Sequence, residues 1–284
     1  MDRTECDWGV FIPQGIDQEY RGWEPAAAWQ RTGTSTVGVL VPCAPYHGAG
    51  VLAKRIATLD VASGGRAAVA LDTGRHPSGY ESYGWQRADP AERRAALAEE
   101  AGAIRRLWQD HQVTLDGEHE RLRDAHCYPR PLQTRLPLRI AGQPVLEDPE
   151  LAVGHADQVI WSGSPEEVAD GRRRVDEACA AAGRDPRSVR QALMIECRLF
   201  DDDVARDKWL GSPWVVAFWS VHPDNYGERN LVGTAESVTR QVQRYLDAGV
   251  DEFLIGFRDM PETSSMERFM TEVVPRTTAG VAVS

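Results

Sequence analysis

The chain has 284 residues, 42% apolar and 26% charged, with a formal net charge of −11. That length suits one barrel-sized domain spanning 1–284. An acidic surface repels phosphate backbones, which argues against nucleic acid as a partner, and no apolar run approaches the roughly 20 residues that cross a bilayer.

The opening MDRTECDWGV has no basic stretch leading into an apolar one, so no secretory signal is read there. Cys6, Cys43, Cys127, Cys179 and Cys197 are scattered without a CxxC pair. Such usage predicts reduced thiols in a cytoplasmic protein. In chain order, apolar runs bounded by Gly, Pro or polar residues predict strands at Trp8–Ile12, Val37–Val41 and Ala67–Leu71. A helix follows from Pro90 to about Gln109. Asp89 is its cap, Glu92 a capping-box partner, and Leu97, Ala101, Ile104 and Trp108 form one stripe.

Asp110–Pro137 is an irregular excursion with a small hairpin near Asp116-Gly117. Strands are predicted next at Leu138–Ala141 and Gln158–Trp161, then a helix from Pro165 to about Ala182 between Ser164 and Gly183. The strand Gln191–Cys197 follows. Ser212–Leu231 is a second excursion, carrying Trp214, Phe218, Trp219 and Tyr226, whose aromatics argue against disorder. A helix after Thr234, with Val238, Val242, Tyr245 and Leu246 on one face, stops at Gly249 and leads into the strand Glu252–Phe257.

Seven core-like strands alternating with helices make an α/β chain of the TIM-barrel type. A parallel (β/α)₈ barrel closes with eight strands. The expected fold is therefore a (β/α)₈ derivative, seven-stranded or incomplete, lacking one β/α unit between Pro13 and Thr36. Barrel chemistry sits on the loops after the strands. Asp72, Arg75 and His76 follow one strand end and supply a carboxylate, a guanidinium and an imidazole within five residues. His76 suits acid–base work near neutral pH, with Asp72 setting its tautomer; an exposed polar loop is the plain alternative. Tyr80 and Tyr83 each carry a hydroxyl able to orient a substrate or to pack beneath the next helix. Glu196 lies on an otherwise apolar strand, where a buried carboxylate requires a partner or a raised pKa. If it points into the barrel, it joins the catalytic candidates. Trp161 ends its strand and either stacks on a ring or fills the barrel top. Cys43 reads first as a small buried thiol. Metal ligation by His47 and His76 would need a third ligand that the sequence does not supply. Arg93-Arg94, Arg172–Arg174 and Asp201–Asp203 read as solvated faces.

Four segments carry a family resemblance: WGVFIPQG at Trp8–Gly15, LAKRIATLDVASGGR at Leu52–Arg66, AHCYPRPLQTRLPLRIAG at Ala125–Gly142 and VGTAESVTRQVQRYLDAGVDEFLIGF at Val232–Phe257. Together they resemble the luciferase-like flavin and deazaflavin oxidoreductases, above all the bacterial branch assigned to coenzyme F420. The resemblance implies F420 or FMN as cofactor and a small-molecule substrate. It also implies a cofactor pocket bordered by Cys43, Tyr46, His47, Thr73, Gly74, Ala141, Gly142, Gln143 and Trp161. Three departures stand out. Ile16–Arg31 replaces nearly all of a helix, a strand and a second helix. Asp72–His76 replaces a Gly-rich turn. Pro144 follows Gly142-Gln143 where the family usually has consecutive glycines. Phosphate seats need backbone N–H groups, which proline does not supply.

Three function classes follow. One is hydride transfer between F420 or FMN and a small organic substrate, in a biosynthetic pathway. The second is an enzyme that has lost its cofactor and does acid–base chemistry (cyclisation, isomerisation or elimination). The third is a non-catalytic flavin-binding relative. An incomplete barrel exposes strand edges that stable proteins cover, so Ile16–Arg31 or a partner subunit is expected over the gap, and the protein is expected to be a homodimer.

Overall fold

The structure is a computed structural model that describes residues 7–10, 36–41, 44, 47–74, 88–213, 215, 223–260 and 262–277. In chain order it contains strand β1 Asp7–Val10, β2 Val37–Val41, helix α1 Ala49–Ser63, β3 Ala67–Leu71, α2 Pro90–Gln109, β4 Val113–Asp116, β5 Arg121–Ala125, β6 Leu138–Ala141, α3 Gly142–Glu147, α4 Glu150–His155, β7 Gln158–Trp161, α5 Pro165–Ala181, β8 Arg190–Leu199, α6 Asp203–Leu210, α7 Pro223–Arg229, β9 Leu231–Gly233, α8 Ala235–Asp247, β10 Glu252–Phe257 and α9 Ser264–Arg268. All seven expected strands are present, and the three-residue β9 adds to them. The expected gap between Pro13 and Thr36, with Ile16–Arg31 inside it, and Trp214, Phe218 and Trp219 lie outside the described residues.

The chain forms two compact units, one of Met1–Pro13, Ile160–Asp176 and Arg190–Ser284, the other of Gln14–Val159 and Glu177–Val189. In the first, β1 runs parallel to β10, with Asp7 opposite Glu252, and β10 runs parallel to β8, with Gly256 opposite Glu196. Side chains alternate across a strand. Phe253 and Phe257 share one face of β10 and pack edge-on against Tyr245 of α8 and against Phe269, at 6.4 and 5.9 Å between ring centres. On that helix Val238, Val242 and Tyr245 are buried in one stripe. Each such side chain contributes about 1.5–3 kcal/mol. Both long helices of this unit start as their sequences imply. Thr234 accepts the Ser237 N–H. Ser164 and Glu167 accept each other's N–H at 3.3 and 2.7 Å, a complete capping box.

In the second unit β2, β3 and β6 are parallel neighbours, with Val41 opposite Leu71 and Leu71 opposite Ile140. Leu52 and Ile56 of α1 and Leu97, Ala101, Ile104 and Trp108 of α2 are buried. The Trp108 indole N–H donates to the Ala53 carbonyl at 3.0 Å. Asp89 caps α2 by accepting the Glu92 N–H at 2.9 Å. The Ser-Gly-Gly-Arg turn after α1 is built on Gly64 and Gly65, at φ 72° and 84°, which a side chain would strain. It leaves the buried Asp60 carboxylate facing the excursion. Asp60 accepts the N–H groups of Leu132 and Gln133 at 2.7 and 3.0 Å and the Gln133 side-chain amide at 2.6 Å. The expected hairpin is the antiparallel pair β4–β5, closed by the Gly117 N–H on the Glu120 carbonyl at 3.0 Å.

Candidate functional site

The register of β2, β3 and β6 brings three strand ends to one level in the second unit. Their loops are stitched together by the backbone. The Asp72 N–H donates to the Val41 carbonyl and the Ala44 N–H to the Asp72 carbonyl, each at 3.0 Å, and the His47 N–H donates to the Ala44 carbonyl at 2.9 Å. Asp72, Thr73, Gly74, His47 and Ala141–Gln143 thus lie on adjoining strand ends. Asp72 and Thr73 are buried.

Arg93 corrects one expectation. It lies not on a solvated face but is 7% exposed, and its guanidinium donates to the carbonyls of Thr73, at 3.4 Å, and Gly74. Only Arg94 turns outward, to Glu147. One turn of α2 therefore holds the loop after β3.

Ala141 is the N-cap of α3, so Gly142, Gln143 and Pro144 form its first turn. The first N–H groups of a helix have no partner within it. Gly142 and Gln143 keep such donors, while Pro144 removes the third. Two backbone donors remain at this helix start. The strand faces favour a flat ring. Val39, Val41, Val69, Leu71, Leu138 and Ile140 form one buried face of β2, β3 and β6. The opposite face carries Gly38, Leu40, Ala68, Ala70 and Arg139. Gly38 and Leu40 are exposed, and Arg139 is half-buried. Ala68 and Ala70 are small but buried, and the space on this face lies at Gly38, where an added side chain would meet only the Ala68 carbonyl, at 3.8 Å, so the residues present fit such a group there.

In the first unit, Glu196 lies on the face of β8 and β10 opposite Phe253 and Phe257, as its register with Gly256 requires. Along that face Met194 and Leu254 are only half-buried, whereas Leu193, Ile195, Phe253 and Ile255 on the other face are buried. This is the more open side of the sheet. Glu196 is 7% exposed. The Tyr226 hydroxyl of α7 donates to Glu196 Oε2, and Arg258 Nη1 stands 3.3 Å from Oε1. Burial pushes the Glu196 carboxyl above the usual carboxylate range, against the pull of the Tyr226 hydroxyl and the Arg258 guanidinium. Burial and the carboxylate push the Tyr226 phenol far up, so it stays a donor. Arg198, two residues on, stacks over Trp209 and Phe200 at 5.1 and 5.5 Å from the ring centres. A buried thiol is inert, and the Cys197 thiol, raised well above its ordinary value by burial, takes no part.

Trp161 is buried, its indole N–H donating to the Gln191 side chain at 2.8 Å. Cys43, Tyr46, Arg75, His76 and Tyr80 lie outside the described residues. Sequence reasoning missed Arg93, Tyr226, Arg258 and Arg139. Only Arg93 left a usable signal: it stands one helical turn before Leu97, on the stripe that α2 buries.

A surface cleft of about 720 Å³ lies elsewhere in the second unit, between α2, the hairpin and α4. Its Arg105 and Arg135 both hold Asp157, at 2.7 and 2.6 Å, beside the N-terminal end of β6. Its Arg184 donates to the carbonyls of Ala152, Val153 and Ala156, closing the end of α4. These cations are committed to structure, and the cleft lies away from the strand ends that carry the candidate residues.

The chain is 28% identical over 160 residues to an uncharacterized protein of Mycobacterium tuberculosis, covering 56% of this chain and 55% of that one. It thus spans about half the length of the first curated relatives that it matches. It is 26% identical over 284 residues to an F420-dependent glucose-6-phosphate dehydrogenase of Amycolatopsis mediterranei, covering 89% and 82% of the two chains. Among solved structures, an F420-dependent secondary alcohol dehydrogenase in complex with an F420-acetone adduct matches with a TM-score of 0.76 at 20% identity, over 96% of this chain and 99% of that one. That likeness shows the fold: mostly parallel α/β, of the incomplete-barrel type. The family model for luciferase-like monooxygenases matches residues 24–208, well over half of the sequence, and the chain belongs to that family.

Proposed function

We propose that the protein is an oxidoreductase passing a hydride between F420 or FMN and a small organic molecule. The observation that carries this reading is the open face of β2, β3 and β6. Gly38 is exposed there and admits the edge of a flat ring, beside the buried Ala68 and Ala70 and beneath the loops at Asp72 and Ala141. The cofactor supplies the hydride chemistry, and the chain binds, orients and shields it. Gly142 and Gln143 hold its phosphate with backbone N–H groups. Thr73, Gly74 and His47 border it, and the family resemblance assigns Cys43, Tyr46, Ala141 and Trp161 to it as well. Asp72, Arg75, His76, Tyr80 and Glu196 are the groups assigned to the substrate and its protons.

The test is titration of the purified protein with F420 and with FMN, followed by the cofactor's fluorescence. Micromolar binding with turnover of a substrate panel supports the reading. Binding without turnover identifies a non-catalytic flavin carrier. Binding of neither overturns it.

Pro144 favours a second reading, because it removes a donor from the phosphate seat. In that reading the scaffold has lost its cofactor, and Asp72, Arg75 and His76 do acid–base chemistry alone. Loss of activity in Asp72→Asn or His76→Ala, without cofactor binding, would distinguish it.

A further inference from the structure

We propose that the β4–β5 hairpin is a pH-operated clasp on the start of α1. Glu120 closes it on the Ala49 N–H, and loss of the proton from Glu100, which lies beneath, drives Glu120 off. The clasp lies wholly in the second unit, needs no cofactor and goes beyond the oxidoreductase reading.

The start of α1 has no side-chain cap of its own. Gly48 stands at the N-cap position, and the first turn holds no acidic residue. The first N–H groups of a helix need acceptors from outside it. The hairpin supplies one, because Glu120 Oε1 accepts the Ala49 N–H at 3.1 Å. Leu122 of β5 lies over Gly50 in the same turn, where a β-carbon would come to 3.9 Å from its Cδ2. The chain before Ala49 runs through His47 and Ala44 to the end of β2. The hairpin therefore fastens the loop that follows β2.

Two successive glutamates of α2 act on the hairpin in different ways. Glu99 anchors its turn, accepting the N–H groups of Glu118, His119 and Glu120 at 3.2, 2.9 and 3.0 Å. Burial raises the Glu99 carboxyl, but those N–H groups outweigh it and hold the group below its ordinary value, so the anchor stays charged. Glu100 turns inward and is wholly buried, and among the described residues its oxygens accept no hydrogen bond. A carboxyl in that setting keeps its proton while a second carboxylate stands by. Burial and then the Glu120 charge push it up to about 8. Once the proton leaves, one of the two groups must give way. Glu100 is fixed on a helix inside the core. Glu120 is half-buried and lines the open cleft of about 720 Å³ between α2, the hairpin and α4, so it has space to enter.

The neighbouring charges leave this balance to the pair. Among the described residues, Glu99 opposes the charged form of Glu120 and His119 of the hairpin favours it. On α1, Lys54 and Arg55 are exposed, and Asp60 is engaged by Leu132 and Gln133. On α2, Arg93 holds the Thr73 and Gly74 carbonyls and Arg105 holds Asp157. His155 of α4 lies against Gly102.

Exchange of the Ala49 amide with water tests the clasp, read by NMR as a protection factor so that the intrinsic pH dependence cancels. With Glu100 titrating at about 8, its ionised fraction rises about tenfold between pH 7 and pH 9, and Ala49 protection is expected to fall about tenfold. Ile56, inside α1, is expected to keep its protection. Glu100→Gln removes the trigger and is expected to hold Ala49 level over that range. Glu100→Leu is expected to do the same should the glutamine variant not fold. Glu120→Ala is expected to leave Ala49 poorly protected at both pH values. Constant Ala49 protection in the native chain, an equal fall in the Glu100 variants, or an equal fall at Ile56 overturns the clasp. F420 and FMN take no part in these readouts, so such a failure leaves the oxidoreductase reading standing.

Discussion

The carboxyl of Glu100, wholly buried on α2, faces the charge of Glu120 from the β4–β5 hairpin, and the two repel. Among the described residues neither Glu100 oxygen has a hydrogen-bond partner. Glu120 is held by its own task, accepting the Ala49 N–H at the start of α1 at 3.1 Å.

Burial first, and Glu120 second, push Glu100 up to about 8. The folded protein therefore keeps a proton that the unfolded chain releases near pH 4.5. The neutral carboxyl is no burden below that pH. Stability falls as pH rises from about 4.5 to 8, because folding must then hold the proton against solution. Glu100→Gln is expected to raise the melting temperature at pH 8, by on the order of 4 kcal/mol in stability, and to change nothing near pH 4. Thermal melts of both proteins at the two pH values decide it, and equal differences at both exclude Glu100 as the cause.

Asp157 behaves in the opposite sense. Burial raises its carboxyl, but the Leu138 N–H and the guanidinium groups of Arg105 and Arg135 outweigh it and hold the group below the usual range. This stabilisation is present above about pH 4 and is lost as pH falls through the folded value. Asp157→Asn leaves two arginines without their carboxylate and is expected to cost about 2–3 kcal/mol at pH 7. Urea unfolding at pH 7 and pH 3 should show that difference shrinking with acid.

Arg93→Met removes the donor that ties α2 to the Thr73 and Gly74 carbonyls. It leaves two buried acceptors weakened, so a loss of about 1–3 kcal/mol is expected. If the loop after β3 borders the cofactor, affinity for F420 or FMN should also fall at least tenfold. An unchanged dissociation constant in a folded variant would detach that loop from the pocket.

The protein is expected to be a homodimer. The outward side of α1 exposes Val51 at 50% and Val61 at 39%, along with Lys54, Arg55 and Thr58. Sedimentation equilibrium at micromolar concentration should give twice the 31.5 kDa chain mass, and a monomer there refutes the expectation.

Buried parallel strands were the most readable part of the fold. Val37–Val41, Ala67–Leu71, Leu138–Ala141, Gln158–Trp161 and Glu252–Phe257 lie where the sequence places them; β3, buried at every position, shows the uninterrupted apolar run of a strand covered on both faces. β9 escaped notice because three residues at the end of an aromatic excursion carry no period. The site was less readable. Glu196 was legible as a polar break in an apolar strand, but its partners were not. Tyr226 lies thirty residues away on a short helix, and Arg258 just beyond a different strand. The pairing of β8 with β10 brings Arg258 to Glu196, and its pairing with β9, which follows α7, brings Tyr226. Arg93 and Arg94 read as one charged pair, yet successive helix positions point about 100° apart, so one went inward and the other to the surface.

The pairing of β1 with β10 bears on how the molecule is made. Asp7 leaves the ribosome long before its neighbour Glu252. The β2–β3–β6 unit has all its strands by Ala141 and can condense in the meantime. The first strand must wait, unpaired, while the residues between them are made, and that interval is when a nascent chain is most open to chaperones and to mistaken partners.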